Sequence, residues 1–258
     1  MKSTAPFLSI IIPVLNEAPL LKEFLGHLRT LGPALEIIVV DGGSSDETTA
    51  IAGVLAHRVL TASRGRASQM NAGAAIARGD VLWFLHADLK APWNAVAQIA
   101  ALLANPKIVG GCFRLRYPRR QWVYRVSDSL GNRGVNVFGF ALGDHGIFCR
   151  RSAFERAGGY PIVPILEDAE MYRRLRRLGG MNQLPEEIVS SPRTFERWGP
   201  YRTTSVYFLI LVLYVMGAPI EWLNRIYRRF HRLIVPAQRH RPEGVRAPVQ
   251  VQPASEFS

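Results

Sequence analysis

Three short apolar runs constrain this chain most: Leu8–Val14 (LSIIIPV), Glu36–Val40 (EIIVV) and Val81–Leu85 (VLWFL). Each is rich in β-branched or aromatic residues, too short for a helix, and bounded by turn residues, which is the signature of a strand buried on both faces. Helical spacing fills the gaps. Leu20, Leu21, Phe24, Leu25 and Leu28 fall on one face of a segment from Glu17 to Leu31, which stops at Gly32-Pro33. Ala67–Ala77 is a second, small-residue helix. Alternation of strand and helix over the first ~90 residues predicts an α/β domain with a mostly parallel sheet flanked by helices. In such sheets ligands bind beyond the carboxyl ends of the strands. That rule selects Pro13–Glu17, Asp41–Asp46 and His86–Asp88.

Beyond residue 90 the pattern is more mixed. Trp93–Leu103 reads as a helix, Ile108–Arg116 as a strand and Ser127–Phe140 as a glycine-interrupted loop or helix. Gly146–Cys149 reads as a short strand, and Asp168–Leu178 as a basic helix stopped by Gly179-Gly180. No internal repeat is present. Three units are expected: a main domain over 7–200, a membrane-associated helical segment over 201–235 and a disordered tail over 236–258.

Carboxylates mark the selected strand ends. Asp41 directly follows the second run, where it can accept hydrogen bonds from a nucleobase or ribose; it and Asp46 also suit a turn and a helix cap. Asp88, just past the third run, suits Mg²⁺ or Mn²⁺, since hard cations take one or two carboxylates and complete their shell with phosphate oxygens and water. Its ordinary alternative is a cap near Pro92. Glu167-Asp168 opens a helix, where the dipole favours the anion. The same setting suits a base that takes a proton from an attacking hydroxyl. Arg64-Gly65-Arg66 could pair with phosphate. Neither GxxxxGK[ST] nor GxGxxG occurs, so the usual kinase and dehydrogenase phosphate loops are absent.

Taken in order, these segments resemble the family 2 glycosyltransferases with a GT-A fold. The residues that carry the likeness are Ile11–Glu17, Val40–Asp46, Arg66 with Asn71 and Gly73, Gly79-Asp80, Phe84–Asp88 and Glu167-Asp168. It covers about residues 7 to 195. Gly143–Phe148 and the Arg193, Glu196-Arg197, Arg202-Thr203 set resemble a bacterial subgroup assigned to arsenosugar biosynthesis or to glycosylation of carotenoid acids. The resemblance implies an inverting transferase that moves a sugar from a nucleoside diphosphate, most often uridine, to a small-molecule or lipid acceptor. By position it implies that Asp41 contacts the base and ribose, that Pro13, Asn16, Glu17, Asn71 and Glu167 line the substrate pocket, and that Arg66 lies near the base or phosphates. It makes Asp88 the metal ligand and Asp168 the catalytic base. The chain departs from the family at His86, which stands where the first Asp of the DxD metal motif is usual. An imidazole offers nitrogen where a hard cation prefers oxygen.

Charge and hydropathy raise the question of a membrane. The 258 residues carry a net charge of +12, which implies an anionic partner. The arginines are not interleaved with aromatic residues on any nucleic-acid-binding module, so acidic lipid or phosphorylated substrate is expected. Only two cysteines occur, as suits a reducing compartment, and the apolar run at the N-terminus is too short for a signal peptide. Val206–Ala218 is wholly apolar, yet arginines lie on both sides of it. A single span would export one basic flank. An interfacial helix or hairpin on the cytoplasmic face of an anionic membrane is therefore expected, with a span or a buried hairpin as alternatives. Two other functions remain: sugar nucleotidyl transfer, which lacks its Gly-rich loop and Lys here, and a catalytically degenerate membrane scaffold.

Overall fold

The computed structural model describes residues 7–119 and 121–234; the tail expected over 236–258 lies outside the described residues. The N-terminal half runs β1 (Leu8–Val14), α1 (Ala18–Arg29), β2 (Leu35–Asp41), α2 (Thr48–Leu55), β3 (Arg58–Thr61), α3 (Arg66–Ile76) and β4 (Val81–Phe84). The three apolar runs are adjacent parallel strands. Ile11 of β1 lies opposite Ile38 and Phe84, and Val14 lies opposite Asp41. Every residue of β1, β2 and β4 is buried, because helices cover both faces and leave no reason for polar alternation.

Two apolar layers result. Ile10, Ile12, Ile37 and Trp83 pack against Leu21, Leu25 and Leu28 of α1. On the opposite face Ile11, Ile38, Val40 and Phe84 pack with Met70 and Ala74 of α3. That second layer needs Gly73: a Cβ there would stand 2.6 Å from Ile11 Cγ2 and 2.9 Å from Val40 Cγ2. At the far end of the strands Ser9 Oγ donates to the buried Glu36 at 2.5 Å, and the Arg78 N–H donates to the same carboxylate.

The C-terminal half adds β5 (Leu89–Lys90), α4 (Ala95–Leu103), β6 (Ile108–Arg116), α5 (Trp122–Arg133), β7 (Phe148–Arg150), α6 (Arg151–Arg156), α7 (Glu167–Arg176), β8 (Gly180–Ser190) and α8 (Arg193–Trp198). The sheet has eight strands in the order β3-β2-β1-β4-β7-β6-β8-β5. The strand β7 is antiparallel to both β4 and β6, so β6 and its parallel partner β8 point the same way as β1. Three strands escape the sequence pattern, among them the two-residue β5. The edge strand β3 is short and half-exposed. In β8, Pro185 falls within an irregular step between the pairs Cys112–Gln183 and Arg114–Glu187, where a missing N–H is tolerated. The region read as a glycine-interrupted loop or helix over Ser127–Phe140 is a helix that starts earlier, at Trp122, and passes into one π turn, Gly134–Phe138. Both cysteines are buried free thiols.

Two last helices, α9 (Pro200–Val215) and α10 (Ile220–Ile234), form a hairpin turned at Gly217. Among the described residues no helix is long and apolar enough to cross a membrane; the sixteen residues of α9 span about 24 Å at 1.5 Å per residue. One face of the hairpin is buried, through Ile210, Tyr214 and Leu223 against Phe140 and Ala169. Tyr214 Oη donates to Glu170 at 2.5 Å, and Arg173 lies over the Tyr214 ring. The other face leaves Phe208, Leu209, Val212, Val215 and Met216 exposed.

Candidate active site

The ends of β1, β2 and β4 open on one crevice. Asn16, at φ 54, turns the chain after β1. Its carboxamide oxygen accepts the Ser45 N–H at 2.8 Å, and its own N–H reaches Ser44 Oγ. Asp41 is 3 % exposed and gathers the facing turn: it accepts the N–H groups of Gly43 and Ser44 and the Ser44 hydroxyl. Asp46 accepts from the Thr48 N–H and hydroxyl and from the Ala18 N–H, which holds its carboxyl below the usual range, chiefly through Thr48. Pro13 is buried within β1. Beneath the two turns Gln69 donates to the carbonyls of Val14 and Val40.

A second group of acids stands across the crevice. Leu166, at φ 61, redirects the chain so that α7 starts with Glu167 and Asp168, which are 6 % and 5 % exposed. His86 Nε2 lies 4.0 Å from Asp168 Oδ2, and Arg66 Nη1 lies 3.9 Å from Glu167. Burial, reinforced by the Glu167 carboxylate, pushes Asp168 up to about 8, with Arg66 acting in the opposite direction. Burial and the Arg66 charge push His86 down to about 3, so its imidazole is neutral. The His86–Asp168 contact is therefore polar packing, not an ion pair. The buried Tyr160 hydroxyl also faces Asp168 and partly offsets its rise.

Asp144, in the 3₁₀ turn Gly143–His145, accepts from Tyr117 Oη at 3.1 Å and Ser190 Oγ at 3.4 Å. Burial raises Asp88, and the Asp144 charge adds to the rise; the same Asp144 charge adds to the rise at Asp168. Asp144 therefore joins the two expected functional acids. Arg193 answers the deficit of positive charge. Its guanidinium grips both oxygens of Glu17, at 2.9 and 3.3 Å, and lies 3.4 Å from Asp88. Neither residue was singled out for a site role by sequence reasoning. The GDHG and RTFERW segments that hold them were the only signal.

Of the expected set, Asn16, Glu17, Asp41, Asp88, Glu167, Asp168 and Arg66 surround the crevice. Asn71 has its carboxamide engaged on both sides by the Tyr160 backbone, at 2.8 and 2.9 Å, so it braces the chain behind Asp168. Gly143 is set against the acids: a Cβ there would stand 2.1 Å from His86 Nε2 and 2.6 Å from Asp168 Oδ2. Gly143→Ala should displace both side chains, at about 1–3 kcal/mol in stability and about a hundredfold in turnover, the cost of roughly 1 Å of misplacement. Thermal melts and steady-state rates would check it; unchanged values would mean that the turn moves freely.

The donor set fits a cation shared with substrate. No group of three or more His, Cys, Asp or Glu side chains among the described residues could by itself hold a metal ion. Asp88 offers hard oxygen at a position where burial, reinforced by Asp144, raises the cost of its negative charge. A divalent ion with phosphate oxygens and water in the rest of its shell matches that arrangement.

Comparison with known proteins agrees with the geometry. Residues 9–158 match the Glycosyl transferase family 2 profile. An undecaprenyl-phosphate 4-deoxy-4-formamido-L-arabinose transferase of Pseudomonas savastanoi pv. phaseolicola is 30% identical over 162 residues, which are 58% of this chain and 48% of that protein. The chain thus spans about half the length of the curated relatives it matches. Among solved structures, the mannosyltransferase PcManGT from Pyrobaculum calidifontis, in complex with GDP-Man and Mn²⁺, superposes with a TM-score of 0.62 at 20% identity, over 89% of this chain and 71% of that one. Glucosyl-3-phosphoglycerate synthase from Mycobacterium tuberculosis, with Mn²⁺, UDP-glucose and phosphoglyceric acid, gives 0.58 at 20% identity, over 83% and 81%. The fold is that of the GT-A glycosyltransferases. A profile match over more than half of the chain, on a fold that brings the acids of that match to one crevice, makes this protein a member of glycosyl transferase family 2.

Proposed function

We propose that the protein transfers a sugar from a nucleoside diphosphate, with uridine the first base to test, to a lipid acceptor at the cytoplasmic face of a membrane, inverting the anomeric carbon. One observation carries the reading: buried acids at the centre of the crevice are ringed by the arginines Arg66 and Arg193. Acids at the centre suit a proton acceptor and a cation site, and arginines at the rim suit the diphosphate.

Asp41 and the turn it organises take the nucleoside, with Pro13, Asn16 and Glu17 beside it. Asp88 would hold Mg²⁺ or Mn²⁺, which when bound supplies positive charge against the departing diphosphate. The acceptor oxygen attacks the anomeric carbon, the bond from that carbon to the diphosphate oxygen breaks, and Asp168 takes the proton of a hydroxyl acceptor. Asn71 and Gly143 keep Asp168 in place. Gly143–Phe148 and the Arg193–Thr203 set support a narrower membership in the arsenosugar or carotenoid-acid subgroup. A carotenoid acid would arrive as a carboxylate and require no base.

Arg193 changes partners in this scheme. Donor binding moves its guanidinium from Glu17 and Asp88 to a phosphate oxygen. Arg193→Ala should raise the donor KM about tenfold to a hundredfold, the worth of a charge-assisted hydrogen bond or two, with a smaller effect on kcat. An unchanged KM would leave Arg193 a surface strut.

The exposed apolar face of α9 and the basic α10 support the lipid acceptor and the interfacial location. So does the undecaprenyl-phosphate acceptor for which the relative is named, to the extent of the shared half of that protein. Incubation of the purified chain with labelled donor and either membrane lipid extract or water-soluble acceptors tests it. Label in the organic phase supports the proposal, and label found only on water-soluble products contradicts it.

A further inference from the structure

A second cleft, of about 750 Å³, lies on the other side of the end of β6, between β6, α5 and β8. Its floor is a closed network of amides. Asn132 accepts the Leu115 N–H at 2.8 Å and Gln183 Nε2 at 2.9 Å, and Asn136 donates to Gln183 Oε1. Its walls are basic: Arg114 and Arg116 on β6, and Arg125 and Arg133 on α5. The acids among the lining residues are Asp128 and Glu187. Glu187 is engaged by Arg116 at 2.9 Å, and Asp128 accepts the Tyr117 N–H at 3.0 Å. Arg114, Arg125 and Arg133 form no ion pair with any described residue. The amides satisfy one another while guanidinium groups are left over, so the cleft complements a compact polyvalent anion.

The surroundings identify the carrier of that anion. Trp122 and Val126 are exposed on the same helix as Arg125 and Arg133, and Val137 and Phe138 are exposed on the turn that follows. The Trp122 ring lies 5.5 Å from that of Tyr201 at the start of α9, which joins this apolar border to the exposed face of the hairpin. A basic cleft beside exposed tryptophan matches an amphiphile with a phosphate head and an apolar body.

We infer that this cleft binds the phosphate headgroup of an anionic membrane lipid, a docking site separate from the crevice in which the sugar is transferred. The inference rests on the interfacial reading proposed above. Tyr117 ties the two places together, with its N–H on Asp128 in the cleft and its hydroxyl on Asp144 in the crevice.

Co-sedimentation of the full chain with vesicles of phosphatidylcholine, alone or with phosphatidylglycerol, tests it. Wild type should prefer the phosphatidylglycerol vesicles, and Arg125→Gln/Arg133→Gln should lose at least about tenfold of that preference. Arg156→Gln/Arg177→Gln removes the same charge from exposed positions outside the cleft and should lose far less. Equal losses in the two pairs, or no loss in the cleft pair, would overturn the proposal. So would wild-type stabilisation by inorganic phosphate that the cleft pair abolishes while vesicle binding stays unchanged, because the cleft would then serve a soluble anion. Leu209→Glu/Val212→Glu isolates the underlying reading. It should weaken binding to both vesicles and keep the preference for phosphatidylglycerol. Unchanged binding to both would sink the interfacial reading alone.

Discussion

Replacing Asp168 with asparagine is expected to lower sugar transfer to a hydroxyl acceptor by about 10²–10⁴-fold, the usual worth of a positioned general base, while donor binding persists. The pH dependence is the sharper part of this expectation. The carboxyl of Asp168 is pushed up to about 8 by burial and by Glu167, and a base acts only when ionised. In wild type, kcat/KM for a hydroxyl acceptor should therefore rise with pH through a midpoint near pH 8 and level off above it; the variant should lose that rise.

Stability should move in the opposite direction. The folded state holds this proton up to about pH 8, whereas an unfolded aspartate releases it near pH 4. Between those values the folded chain binds more protons than the unfolded one, so stability falls as pH rises across the window. Asparagine removes the ionisation, and Asp168→Asn should melt at or above wild type at pH 8. A variant that is inactive and also much less stable would point to a structural role. A variant that keeps its turnover with a phosphate or carboxylate acceptor, and loses it with a hydroxyl, would identify the acceptor as already ionised.

The second large effect is expected at Asp88. Asp88→Asn should reduce turnover by about 10²–10³-fold, comparable with loss of one strong electrostatic contact to the charge that develops in the transition state. It should also remove the response to divalent ions. Wild type should be silenced by EDTA and restored by Mn²⁺ or Mg²⁺, whereas the residual rate of the variant should be the same in EDTA and in metal. Metal titrations of both proteins, with donor turnover as the readout, separate the outcomes. A variant that still responds steeply to Mn²⁺ would place the cation on other residues, with Asp144 the nearest acid in charge coupling to Asp88. His86, at the position of the usual first acid of the motif, keeps its imidazole neutral and packed beside Asp168.

The N-terminal sheet was legible because its strands are buried on both faces. Nearly continuous apolar runs fill β1, β2 and β4, with the buried polar pair Ser9 and Glu36 as the exception, and the ends of these strands made Asp41 and Asp88 readable as crevice residues. The edges were less legible. Half-exposed β3 shows no apolar excess, and β8 carries Pro185 and two glutamates in the step where its register shifts. In the site, local patterning could not supply what long-range packing brings together. Arg193 meets Glu17 from 176 positions away along the chain, and Gly143 matters only because His86 and Asp168 converge on the space above it. Asn71 illustrates the converse: it has a polar side chain in a family motif, and its carboxamide is bound to the Tyr160 backbone. The C-terminal hairpin has one face buried on α7, as the buried-hairpin alternative expects, and one apolar face left open.

The most direct test of the central claim is a donor screen with purified protein: release of nucleoside diphosphate from UDP-, GDP- and dTDP-sugars, each with Mn²⁺, with Mg²⁺ and with EDTA. Slow release from one donor is expected, supported by metal, abolished by EDTA and by Asp88→Asn, and accelerated by lipid extract. Binding of a donor with no release under any condition, with or without lipid, would contradict it and leave a nucleotide-binding scaffold in place of a transferase.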